Sequence, residues 1–286
     1  MSQPSPLPAE TRMGRVAVSV ADLSRSLAYY QEHIGLQVLE REGETAVLGV
    51  AQRPLLVLQE QPGARPSHRA AGLYHFAILL PSRLDLARTL YHFIQAQTPL
   101  VGASDHGVSE ALYLTDPDGH GIEIYRDRPR AEWPYVGDDL RMVTEPFDAE
   151  GVLAELSPET AVWQPLPPGT TMGHVHLHVG HLAPAMAFYH DVLGFDVIMQ
   201  MGQSAGFLSF GGYHHHLGLN TWAGVGAPPA APDKARLLWY EIMAPEETAV
   251  ADLADRLTEK GVAFTQNGRA LHLQDPSANH LVIQAS

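Results

Sequence analysis

The sequence contains no cysteine, which excludes disulfides, thiolate metal sites and cysteine nucleophiles together. A bound metal has only His, Asp, Glu or water to rest on. Positive charge is scarce as well: 18 Lys and Arg face 32 Asp and Glu, a formal net charge of −14, and no local cluster of bases offsets it. That balance repels phosphate backbones and anionic lipid, so neither nucleic acid nor a membrane surface is expected as a partner. No apolar run reaches membrane-spanning length, and Met1–Arg12 lacks the basic-then-apolar layout of a signal peptide. A cytoplasmic location is the expectation. What remains is a chain of 286 residues, 45% hydrophobic, long enough for two medium domains with a sizeable core, and carrying 16 histidines.

Three of those histidines fall at two-residue spacing between Met172 and Val179. A strand turns successive side chains to opposite faces, so His174, His176 and His178 share one face if this segment is a strand. Neutral imidazole is the commonest protein ligand for transition metals, whereas a wet polar strand face is the plainer reading of such a row. The rest of the chain decides between them, because it is duplicated. Met13–Val38 recurs as Met172–Val197 at a constant offset of 159, and the same offset carries Asp116–Ile124 onto Asp275–Ile283.

Each half divides again into βαβββ units, an α+β pattern. In the first, strand Val16–Val20 precedes a helix over Leu23–Ile34 with Gly35 as its cap, and short strands follow around Leu36–Glu40, Thr45–Val50 and Leu55–Gln59. The second has strand Leu73–Leu80, helix Arg83–Gln97 and strands at Ala111–Thr115 and Gly121–Arg126. The third runs from strand His174–Val179 through helix Ala183–Val192 to strands Val197–Met201, Ala205–Phe210 and His214–Asn220. Strand Leu237–Met243, helix Pro245–Lys260 and strands Ala270–Gln274 and Leu281–Gln284 make the fourth. The expected organisation is a first pair of units over 12–126, a connector over 127–171 and a second pair over 172–286. Within the connector, Asp148–Leu156 can form one short helix. Recurrent aromatics, Tyr29 with Tyr30 and Phe188 with Tyr189, read as core packing, and His120 and His280 as turn residues with rings toward solvent.

Overlaying the units compares two positions, the start of the first strand and the middle of the last. The first holds Arg15, His75, His174 and, in unit four, Leu238; the second holds Glu123 in unit two, Gly218 in unit three and Val282 in unit four. Ligand types survive only in units two and three. His75, His174 and Glu123 form a set of two histidines and a carboxylate, the facial triad that leaves three coordination positions open.

The four-unit layout, the run Asp116–Tyr125 and the paired histidine strands resemble the vicinal-oxygen-chelate superfamily, and within it the catechol 2,3-dioxygenase-like extradiol enzymes. The resemblance covers nearly the whole chain except the termini and the connector. It implies two cup-shaped mixed-sheet modules and a metal, Fe(II) first and Mn(II) second, held by His75, Glu123 and His174. Small aromatic diols and dioxygen are the implied substrates, and a homo-oligomer stays open. Tyr113 is implied as hydrogen-bond partner of a substrate oxygen, and His106 as a contact of bound oxygen. The implied acid/base histidine maps to His215, although strict alternation from Gly218 places His214 and His216 on the site face unless a bulge intervenes. In the best-known four-unit enzymes the ligands come from units three and four; here units two and three must pair across the duplication, leaving one and four for each other. His176 and His178 then fit a supporting or surface role.

Fold alone does not license ring cleavage, since the superfamily also hosts isomerases and binding proteins. A glyoxalase-like lyase or isomerase is one rival; its sites commonly add a fourth carboxylate ligand, where this chain has Gly218. A non-catalytic binder of metal or of an aromatic ligand is the other.

Overall fold

The structure, a computed structural model, describes residues 7–286; residues 1–6 of the Met1–Arg12 segment lie outside the described residues. Four βαβββ-like units form in the expected order. In the first, the strand Arg12–Val20 buries Val16, Val18 and Val20, and the Asp22 side chain then accepts from the Arg25 backbone N–H to cap a helix over Leu23–Tyr29. The expected helix Leu23–Ile34 changes hand-hold partway: Tyr30–Ile34 is a π-turn, ended by Gly35 at φ 85°. The third unit repeats this with helix Leu182–Ala187 and π-turn Phe188–Val192. Each turn carries a buried tyrosine inward, Tyr30 donating to Asp116 Oδ2 at 2.9 Å and Tyr189 to Asp275 Oδ2 at 3.1 Å. The helix of one unit is thereby tied to the Asp-Pro turn of the next.

The sheets join the units differently. A nine-stranded sheet runs Glu145–Pro146, Gly102–Asp105, Ser109–Thr115, Gly121–Asp127, Gly72–Leu80, Thr171–His178, Leu217–Asn220, Ala205–Ser209 and Asp196–Met201. It combines units two and three through the antiparallel pair Gly72–Leu80 and Thr171–His178. An eight-stranded sheet runs Phe264–Asn267, Ala270–Gln274, His280–Ala285, Leu237–Ala244, Arg12–Val20, Arg53–Glu60, Thr45–Val50 and Gln37–Glu42, joining units one and four through the corresponding antiparallel pair.

This architecture corrects the expectation of two cup-shaped modules. Each pair of units merges at its central antiparallel ladder into one continuous mixed sheet with two unpaired edge strands, so neither sheet curls or closes into a cup.

Alternation along the strands divides the work of the nine-stranded sheet between its faces. One face packs Phe76, Ile78, Leu112, Leu114, Ile122, Ile124, Val175 and Leu177 into the core that both sheets share. The other face is left for Tyr113, Glu123, His75, His174 and His176. The connector closes on this sheet: Glu145–Pro146 extends its edge, and the short helix Ala149–Leu153 is capped by Asp148 and held by Arg83, which donates to Gly151 O and pairs with Glu155. Among the described residues no helix is long and apolar enough to cross a membrane.

Candidate active site

Register brings the three proposed ligands together. Ala77 pairs with Glu123 on one side and with His174 on the other, while His75 stands opposite His176. Glu123 Oε2 lies 3.1 Å from His75 Nε2 and 3.1 Å from His174 Nε2, and the two Nε2 atoms are 3.3 Å apart. Three donors on one face of an octahedron with bonds of about 2.1–2.2 Å stand about 3.0–3.1 Å apart, so this triangle fits a divalent metal without rearrangement. Exposures of 6% for His75, 3% for Glu123 and 1% for His174 put all three out of bulk water. Among the described residues this is the group of three His, Cys, Asp or Glu side chains whose ligand atoms all lie within 4.8 Å, and it can chelate a divalent metal.

The electrostatics point the same way. Burial pushes the Glu123 carboxyl up, but the charges and hydrogen bonds of His174 and His75 outweigh it and hold the group well below the usual carboxylate range. Burial pushes His174 down, toward the neutral imidazole a metal requires. Among the described residues no lysine or arginine pairs with Glu123, and its negative charge is matched only by imidazoles. A bound cation offsets what burial of that carboxylate costs.

A cavity of about 1130 Å³ opens onto His75 and Glu123 of the triad, with His174 behind them. His75, Glu123, Tyr113, His106, His176 and His215 line it, together with Tyr74, Met199, Phe207 and Trp222. Tyr113 faces Glu123 across its ladder, and its hydroxyl lies 2.7 Å from His106 Nε2. His106 Nδ1–H donates to Val143 O at 2.7 Å, so the neutral ring offers Nε2 as acceptor for the Tyr113 O–H. Burial and the neighbouring carboxylate raise the Tyr113 phenol well above its usual range and keep it protonated.

Of the histidines at 214–216, the structure brings His215 to the cavity, its ring 4.1 Å from that of His174. His214 turns beneath it to Asp127, and His216 Nδ1 accepts from the Phe210 backbone N–H at 3.2 Å. Alternation does not apply here, because the strand expected over His214–Asn220 begins only at Leu217 and the preceding residues are bent. His176 is buried, with its Nε2 unpartnered among the described residues. It also occupies the space beside Gly218: a Cβ at that position would stand 2.7 Å from His176 Cγ, leaving no room for a carboxylate ligand. His178 Nδ1–H donates to Asn220 Oδ1 at 2.6 Å. His120, expected to face solvent, is buried and donates from Nε2 to Ser19 O at 2.8 Å; His280 is exposed.

Sequence reasoning passed over Asp127, Tyr125 and Tyr213. Asp127 Oδ1 accepts from His214 Nε2 at 2.9 Å and from the Tyr213 hydroxyl at 3.2 Å, and Tyr213 meets Tyr125 at 2.7 Å between hydroxyls. The available signal was the two-residue spacing of Glu123, Tyr125 and Asp127 on one strand, the same spacing that marked the histidine row.

Comparison with known proteins adds an independent line. The Glyoxalase/Bleomycin resistance protein/Dioxygenase superfamily matches residues 12–124 and 171–279. A catechol-2,3-dioxygenase of Bacillus subtilis (strain 168) is 42% identical over 272 residues, covering 93% of this chain and 94% of that protein. Glyoxalase domain-containing protein 4 of Mus musculus is 34% identical over 145 residues, 48% of this chain and 44% of the other. Among solved structures, a putative dioxygenase from Bacillus subtilis subsp. subtilis str. 168 superposes with a TM-score of 0.67 at 11% identity, covering 99% of this chain and 86% of that one. Glyoxalase I from Zea mays gives 0.58 at 18% identity, with coverage of 96% and 92%. At those identities the structural matches speak for the fold alone.

Proposed function

Because the chain belongs to the Glyoxalase/Bleomycin resistance protein/Dioxygenase superfamily, we propose that it is an extradiol dioxygenase, opening the ring of a catechol-type substrate with dioxygen at a divalent metal held by His75, Glu123 and His174. The observation that carries this reading is the triangle of ligand atoms, 3.1, 3.1 and 3.3 Å on its edges, at the wall of a cavity that admits an aromatic molecule. His75, Glu123 and His174 would hold iron(II), or manganese(II) as the second candidate, which would supply Lewis acidity and electron transfer there.

The side chains around the triad have complementary tasks. His215 takes the proton of a catechol hydroxyl at Nε2 and returns it later in the cycle, contributing of the order of 10²–10⁴ in rate as general base and acid. Tyr113 turns its O–H from His106 Nε2 to the substrate oxygen as negative charge grows there, and His106 keeps the hydroxyl beside the site until then. Tyr74, Phe207, Met199 and Trp222 line the cavity and offer apolar surface to the ring. His216 lies one residue beyond this machinery and supports the bend that presents His215. The like-sized imidazole of His176 in the space beside Gly218 disfavours a lyase or isomerase that needs a fourth carboxylate ligand.

The test is oxygen consumption by protein purified without air and reconstituted with Fe(II), against a panel of catechols. The expected result is one dioxygen consumed per catechol, with a yellow ring-fission product. Stoichiometric iron without oxygen uptake across the panel would leave a binding protein instead.

A further inference from the structure

We propose that Asp127, acting through His214, fixes His215 in the tautomer whose Nε2 carries a lone pair, and so presents a ready base to the substrate. The proposal rests on the extradiol reading for the identity of the reaction, but the hydrogen-bond chain stands on geometry alone. Asp127 ends the strand that also carries Glu123, and four residues along a strand keeps it on the same face. Its carboxylate can only accept, so His214 Nε2, 2.9 Å from Asp127 Oδ1, carries a hydrogen. We take His214 as the uncharged imidazole, whose Nδ1 is then an acceptor. Among the described residues its hydrogen-bond partner is His215 Nδ1, 2.8 Å away, which must donate. A neutral imidazole with hydrogen on Nδ1 bears its lone pair on Nε2. His215 lines the cavity, and with Nδ1 committed to His214 its Nε2 is the nitrogen left for the substrate.

Each member of this chain is itself held. His214 is completely buried, with its ring 5.4 Å from that of Trp133 and 4.0 Å from that of Tyr213. The Tyr213 hydroxyl donates to the same Asp127 oxygen at 3.2 Å and meets Tyr125, which packs against His174 at 5.0 Å between ring centroids. One carboxylate therefore orients a network that reaches both the proposed base and the back of a proposed ligand. When the substrate hydroxyl proton bonds to His215 Nε2, the oxygen keeps the electron pair of the O–H bond. The His215 Nδ1–H stays donated to His214 while Nε2 takes that proton. Asp127 and His214 are positioning residues, because neither touches the substrate.

The readout is the nitrogen chemical shifts of His215, recorded by ¹⁵N NMR on the full-length protein loaded with diamagnetic zinc, in wild type, Asp127→Ala and His214→Phe. Wild type should show hydrogen on Nδ1 alone. Both variants should lose that single form in favour of the Nε2–H tautomer that an unconstrained imidazole prefers, and His214→Phe keeps a ring in place to preserve packing. With Fe(II) and catechol, both should lose at least about 100-fold in kcat while KM stays within about twofold. Hydrogen on Nε2 in the wild type, or hydrogen retained on Nδ1 in both variants, overturns the proposal, as does unchanged kcat in variants whose tautomer has shifted. Failure of the wild type to cleave any catechol counts against the proposed reaction and leaves the tautomer result to be judged by the shifts.

Discussion

Among the described residues three glutamates are buried, and their partners separate structural carboxylates from the one at the site. Glu110 is surrounded by Arg83, Arg126 and Arg128. Glu241 takes Arg15. Glu123 has no arginine or lysine; its ion-pair partners are His75 and His174, two groups that are neutral when they bind metal, and the Tyr113 hydroxyl bonds it as well. Removing either imidazole leaves an incomplete ligand set, so His75→Ala and His174→Ala should each weaken metal affinity by more than the roughly 10–100-fold typical of changes behind the ligands. Titration of metal-free protein with Fe(II) checks this, and wild-type affinity in either variant removes that residue from the site. These three positions were legible in the sequence because the repeat isolates them: a carboxylate between Ile122 and Ile124, and histidines at matched strand starts. Other positions were not. The equivalence of Leu238 to His75 fails by one residue, since Ala17 pairs with Trp239 as His176 pairs with His75, and irregularities in both ladders make such counts uncertain from spacing alone. Asp127 and His214 meet only through a bend between residues 213 and 216 that no periodicity encodes.

Strand Leu217–Asn220 shows how an element limits the chemistry beside it. It lies between Thr171–His178 and Ala205–Ser209, and Gly218 pairs with both His176 and Phe207. The missing side chain admits the His176 ring. Gly218→Ala should drive that ring toward His75 and the cavity, at about 1–3 kcal/mol of stability, the usual range for overpacking. KM for a catechol should rise together with this loss. Denaturant unfolding and steady-state kinetics read the two effects, and an unaltered pair of values shows that His176 moves aside freely. Most strands and helices were legible because each depends on local period and caps. The π-turns were not, since they form where Tyr30 and Tyr189 reach across to Asp116 and Asp275, far away in the chain. Nor was the open form of the sheets, which is decided by how far a ladder continues between units rather than by any pattern within one.

At the scale of the molecule, duplication makes two related sheets but, among the described residues, only one triad. In the eight-stranded sheet Arg15 stands where His174 does, Val282 replaces Glu123, and Glu241 takes the place of Ala77. Arg15 Nε and Nη2 donate to the two Glu241 oxygens at 2.9 and 2.5 Å, and the guanidinium lies 5.3 Å from the Trp239 ring centroid. The cation is thus built into the chain where the other sheet has a ligand set that can chelate one. Arg15→Ala should leave the number of metals bound unchanged at one per chain. It should also lower stability by about 1–3 kcal/mol, less than a fully buried pair would lose, because the Arg15 side chain is 35% exposed while the Glu241 carboxylate remains buried. Removing the stranded carboxylate as well, in Arg15→Ala with Glu241→Ala, should restore part of the loss, since an unpaired buried charge costs more than an absent pair. Metal analysis and denaturant midpoints of the single and double variants decide it. A second metal in any variant would show that the duplicated site is blocked only by arginine, and a double variant less stable than the single would show that Glu241 contributes through Gln284 and its own packing rather than through the ion pair.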